Sequence, residues 1–145
     1  WRMRRVLAIG KLGRESQLQA VTRALLRDRE APLSRSERAI LWAAQGWAEL
    51  AGDQLARARG FARRAMQADP DCMEGQVLSA AVGMIDGSPD VERIRSLVAR
   101  GRSVEAIAMM ALVTSDEAAT CVLGARYLSA APRGRLATDI RTRCP

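Results

Sequence analysis

The titratable groups that this 145-residue chain could bring to a catalytic site are sixteen carboxylates, three cysteines, one tyrosine and one lysine, and histidine is absent. That absence removes Ser-His-Asp and Cys-His catalysis, histidine-ligated zinc and any imidazole pH switch. Cys72, Cys121 and Cys144 form no C-x-x-C pair and fall short of the four ligands of a structural zinc site. Lys11 follows Gly10, but the earlier glycine of a phosphate loop is missing and no G-x-G-x-x-G occurs. Asp69 with Asp71, and Asp116 with Glu117, fall at expected helix ends, where a carboxylate complements the macrodipole and caps free N–H groups. The chain is therefore expected to be no enzyme, with no catalytic residue, no metal and no cofactor.

The cysteines leave one alternative open. Buried free thiols in a reducing cytoplasm are the plain reading. Cys121, however, is expected on a helix ending near Ala130, and Cys144 on one starting near Arg133. Across a tight turn, antiparallel helices of equal rise bring the two level. Small residues at Gly124, Ala125 and Ala137 could then let the Cα atoms approach within the roughly 7 Å that a disulfide needs. A Cys121–Cys144 bridge would imply an exported, periplasmic chain; without it a cytoplasmic one is favoured.

The charge is basic, with a formal net +7 that rests on 22 arginines. Clustered positive charge would suit nucleic acid or a membrane surface. Here the basic residues alternate with acids, as in Arg27-Asp28-Arg29-Glu30 and Glu92-Arg93, which describes a solvated face. Trp1, Trp42, Trp47, Phe61 and Tyr127 are few rings for stacking single-stranded bases. Nucleic acid stays as an alternative partner. Charge-free runs such as Gln76 to Ile85 reach half the ~20 residues of a membrane span, so none is expected. The chain opens on Trp1 rather than methionine, which reads as a mature form or a fragment; missing localisation signals carry no weight.

Alanine, arginine and leucine dominate, and no stretch alternates apolar and polar over six residues, so the fold is expected to be all-α. Helices are predicted over about Arg2 to Leu12, closed by Gly13, and from Arg14 until before Pro32. The S-R-S-E run from Ser34 to Glu37 has capping-box spacing, opening a helix to about Ala51 that Gly52-Asp53 ends. Others follow over Gln54 to Ala68, Cys72 to Ile85, Pro89 to Arg100 with Ser88 as cap, Ser103 to Val113, Ser115 to Ala130 and Arg133 to Arg143. About nine helices with short loops must pack as antiparallel neighbours in a single domain, as hairpins 1–32, 34–70, 72–100 and 103–130 with a terminal helix 133–143. In the first pair two registers compete: Ala20 with Ala24 supports one, Leu18, Val21 and Leu25 the other.

Pro32 and Pro70 lie 38 residues apart, and each closes a helix pair. Reading back from Pro70, Trp42, Gly46, Ala58 and Ala65 stand at the spacings of the tetratricopeptide pattern, W-x2-L-G-x2-Y followed by A, a bulky residue, A and P. Five of eight positions match, so the chain resembles a tetratricopeptide-like helical repeat protein. Gln45 stands where the pattern has leucine, Glu49 where it has tyrosine, and Phe61 is displaced by one. A-R-G-R-S-V-E-A-I, ending at Ile107, and Y-L-S-A-A-P-R-G-R-L-A, from Tyr127 to Ala137, look like further junctions of such repeats.

The resemblance implies an α-solenoid of antiparallel hairpins, bacterial in style, whose first helices line a concave groove for a partner peptide or helix. Carried over, the second repeat presents Ile40, Ala43, Trp47 and Leu50 to that groove. Trp47 is the expected anchor, since aromatics dominate hot spots; packing against the next repeat is the competing role. Arg2 and Arg5 would face the same groove in one register of the first helix and favour an acidic partner; a solvated first helix is the alternative. The expected role is a non-catalytic protein–protein interaction scaffold. An odd helix count also leaves one end without a hairpin partner, which would suit assembly into a larger complex.

Overall fold

The computed structural model describes residues 2–11, 14–28, 32–101 and 103–144, with the side chains of Arg2, Lys11 and Glu15 outside that set. The expected stop at Leu12 and Gly13 lies outside it, as do Arg29 and Glu30. Among the described residues the protein is all-α and has nine helices: α1 (Arg2–Lys11), α2 (Glu15–Arg27), α3 (Arg35–Ala51), α4 (Leu55–Ala68), α5 (Met73–Ile85), α6 (Val91–Ala99), α7 (Val104–Val113), α8 (Glu117–Ala130) and α9 (Ala137–Arg143).

Local chemistry places most of the starts. Ser34 and Glu37 form the full capping box: the Glu37 N–H donates to Ser34 Oγ at 3.2 Å, and the Ser34 N–H to Glu37 Oε2 at 2.9 Å. Ser103 caps α7 by accepting from the Ala106 N–H, and Asp116 caps α8 by accepting from those of Ala118 and Ala119. Helix α6 begins later than expected. Its cap is Asp90, whose carboxylate accepts from the Arg93 N–H at 3.0 Å, so Ser88 and Pro89 lie in the loop. Gly87 and Gly101 close α5 and α6 at φ of 77° and 65°, a region that glycine enters without steric cost.

The odd-numbered helices α1, α3, α5, α7 and α9 touch one another in succession, whereas each even-numbered helix touches only the odd helices before and after it. Among the described residues this sorts the chain into two layers. The larger core runs from α3 to α9 and includes Trp47, Leu78, Ile94, Met109, Tyr127 and Ile140. A smaller one joins Val6 and Ile9 of α1, Leu18 of α2, and Leu41 and Ala44 of α3. Helix α3 serves both because its residues from Ala43 to Glu49 are all buried. The first pair takes the register of Leu18, Val21 and Leu25, leaving Ala20 and Ala24 exposed.

Glycine and alanine mark the closest approaches. A Cβ on Gly46 would overlap the Leu78 methyl from α5 and come within 3.2 Å of Phe61 Cβ from α4. Ala58 and Ala65 are fully buried. Trp42 stacks on Phe61 at 5.7 Å between ring centroids, with the Arg64 guanidinium over both rings. No described helix is long and apolar enough to cross a membrane.

Candidate functional site

The layer of odd-numbered helices carries an apolar recess. Leu7 and Gly10 of α1, Ile40, Ala43 and Trp47 of α3, and Met73 and Val77 of α5 line it. Each set recurs at three- or four-residue spacing, which puts it on one helix face. Glu74 of α5 and Ser103 and Glu105 at the start of α7 supply a polar edge, and Arg135, from the turn before α9, enters from the side. The volume is about 120 Å³. A second, more open hollow of about 340 Å³ continues the face beyond Trp47, walled by Leu50, Ile85, Arg133 and Leu136.

Arg135 divides the two hollows. Its guanidinium lies 4.8 Å from the centroid of the Trp47 ring, and a Cβ on Gly10 would sit 2.5 Å from its Nη2. Gly10 thus leaves the space that the guanidinium occupies. Trp47, 7% exposed and part of the larger core, is a wall of the recess and not an open anchor. Ile40 is half-buried and Ala43 is buried. Leu50, also half-buried, lies in the second hollow. Arg5 does not belong to this face. It is exposed and two residues before Leu7, which turns it about 200° away around the helix. The side chain of Arg2 lies outside the described set.

What holds Arg135 there is a short, tightly made turn. Helix α9 starts at Ala137 and not near Arg133, because the Leu136 N–H donates to the buried Tyr127 hydroxyl at 3.1 Å instead of entering a helix. A Cβ on Gly134 would overlap that hydroxyl, so only glycine lets the turn lie against the ring. Burial pushes the Tyr127 phenol above its usual value, although the Leu136 N–H works in the other direction. It therefore stays protonated at neutral pH. At the far end of α9, Cys144 is bonded to Cys121 of α8 with a Cα separation of 5.5 Å. Gly124 permits the approach: a Cβ there would be 2.9 Å from Ile140 Cγ2 and 3.9 Å from Cys144 Sγ. Arg135, Gly134, Glu74 and Glu105 are site residues that the sequence reading passed over. The one local signal was a glycine between two arginines directly after Pro132.

Among the described residues there is no group of three or more histidine, cysteine or acidic side chains able to hold a metal. Cys72, next to the recess, is 5% exposed, and burial pushes its thiol from 9.0 up to about 11, with Glu74 Oε2 3.4 Å from its sulfur. A thiol in that state is neutral and a poor nucleophile at physiological pH. The recess offers an apolar floor, an aromatic face and two carboxylates. Comparison with protein-family models, with curated proteins and with solved structures finds no match to this chain.

Proposed function

We propose that the chain is a non-catalytic interaction module, a tetratricopeptide-like solenoid of helical hairpins that holds a partner peptide or helix along the face of its odd-numbered helices. The observation that carries this reading is the recess itself, to which α1, α3, α5 and α7 all contribute. Four successive inner helices sharing one apolar hollow is the geometry of a binding face. At about 120 Å³ it is close to the ~150 Å³ engineered cavity that accepts benzene, so it seats one partner side chain and not a whole helix. The rest of the partner would lie across the rim, towards Leu50 and the second hollow.

Affinity capture from the source lysate, with and without nuclease and read by mass spectrometry, tests the reading. Ile40→Gln is the variant to use, because Ile40 lines the recess while Trp47 also belongs to the core. A protein recovered in stoichiometric amount, retained after nuclease and lost with Ile40→Gln at unchanged Tm, is the expected result. Partners that disappear with nuclease would overturn it in favour of nucleic acid. One observation favours that second reading: Arg59, Arg63 and Arg93 gather around an outer hollow between α4 and α6. Two of them are already engaged, Arg59 with Asp86 at 2.6 Å and Arg93 with Asp90 at 3.4 Å. The charge there is partly neutralised by the protein itself.

A further inference from the structure

Beside the open volume of the recess, the Trp47 ring is covered by the guanidinium of the chain's own Arg135, 4.8 Å from its centroid. Three features on separate elements make room for that one side chain: the face of the Trp47 ring on α3, the missing side chain of Gly10 on α1, and the Gly134 turn against Tyr127. Glu74 and Glu105 both line the recess and put two carboxylates there in an otherwise basic molecule. The cation that stacks best on an indole beside carboxylates is a guanidinium, which is planar and more weakly hydrated than an ammonium.

We propose that this recess is an arginine seat, and that the partner it receives is a protein segment presenting an arginine beside an aliphatic residue, as the chain's own Arg135-Leu136 does. The inference rests on the interaction reading above and names the partner's chemistry. Arg135 is then the resident occupant, and the incoming arginine replaces it over Trp47. The resident is hard to displace because the segment that follows it is tied at both of its ends, at Leu136 by the Tyr127 hydroxyl and at Cys144 by the disulfide to α8. A tethered occupant competes at the high effective concentration of an intramolecular group. The unmodified chain therefore binds such a partner weakly, and removing the resident side chain strengthens binding.

The test uses the full chain and a defined probe, an acetylated and amidated synthetic peptide copying residues 131–142, with a second peptide carrying Arg135→Ala as its control. Isothermal titration compares the wild-type chain with Arg135→Ala and, as a milder change that keeps a long polar side chain, Arg135→Gln. Both variants are expected to bind the parent peptide about tenfold more tightly than the wild type does, the scale of a partly desolvated cation–π contact, and to ignore the control peptide. Adding Glu74→Gln and Glu105→Gln to Arg135→Gln should weaken the parent peptide again. Equal binding of both peptides would overturn the arginine seat while leaving the face as an apolar docking groove. Binding of neither peptide by a folded variant would overturn the seat as well, and the interaction reading would then stand or fall on the Ile40→Gln capture alone.

Discussion

Gly46 and Gly60 are both interior helix glycines, yet replacing each with alanine should move stability in opposite directions. In α4, a Cβ on Gly60 meets nothing within 4 Å. Gly60→Ala therefore keeps only the backbone benefit, about 0.5–1 kcal/mol from fewer unfolded conformations and better helix propensity. In α3, a Cβ on Gly46 overlaps the Leu78 methyl and presses on Phe61 Cβ at 3.2 Å. Leu78 is fully buried, so its methyl has no free space to rotate into. Overpacking of this kind costs roughly 1–3 kcal/mol, and after the propensity gain the net is about 1–2 kcal/mol of destabilisation. At this chain length 1 kcal/mol is worth about 2–4 °C, so Gly46→Ala should melt about 3–6 °C lower and Gly60→Ala about 2–3 °C higher. Thermal melts followed by far-UV circular dichroism, with urea titration to confirm an unchanged m-value, measure both. A Gly46→Ala protein that gains as much stability as Gly60→Ala would refute the close approach of α3, α4 and α5 on which the inner face depends.

Tyr127→Phe strands the buried Leu136 N–H, an expected loss of about 1–3 kcal/mol in urea titration, with faster amide exchange at Leu136. Reducing the Cys121–Cys144 bond, whose partners are 23 residues apart, should cost about 3 kcal/mol by the loop-entropy relation; a melt unchanged by a dithiol reductant would count against the bond as a stability element. The Cys72 thiol is raised in the folded chain from 9.0 to about 11, so the fold holds that proton more tightly than the unfolded chain does. The associated stability is complete below pH 9 and is lost as pH rises through 11, reaching about 2 kcal/mol of loss near pH 10.5. Cys72→Ala should lack that component. Tyr127 titrates in both chains, so the difference between their urea curves at pH 8 and pH 10.5 isolates Cys72, and parallel curves would disprove the assignment.

Helix boundaries were readable where one residue's chemistry decides them. Ser34 with Glu37, Ser103 and Asp116 each cap within three residues of themselves, and the sequence shows both donor and acceptor. Asp90 was missed because Ser88-Pro89 offered a plausible cap two residues earlier, and a carboxylate at the right distance from the Arg93 N–H displaced it. The start of α9 was not local at all. It depends on the Tyr127 hydroxyl taking the Leu136 N–H across a turn that only Gly134 allows. The same remoteness hid the state of Trp47. The repeat resemblance put it on one face with Ile40 and Ala43, but its cover, Arg135, arrives from the opposite end of the chain. Arg5 fell on the wrong side of α1 because two registers of the first pair had equal support in hydrophobic spacing.

What breaks that tie is polar. Gln45, standing where the repeat pattern has leucine, is 2% exposed, and its amide Nε2 donates to the Gln19 carbonyl at 3.1 Å and to Thr22 Oγ1. Thr22, itself fully buried, donates its hydroxyl hydrogen bond to the Leu18 carbonyl at 2.8 Å. A leucine at 45 would pack against α2 in more than one register, since apolar contact is not directional. The glutamine requires Thr22 to face it, and so requires Leu18 to be buried with Thr22 while Ala20 and Ala24 face solvent. Once α2 is set, Leu18 packs with Val6 and Ile9 of α1, and Leu7 and Gly10 fall on the side of the recess. The departure from the pattern at Gln45 is therefore what positions α1 beside the recess, and with it the space that Gly10 leaves for Arg135.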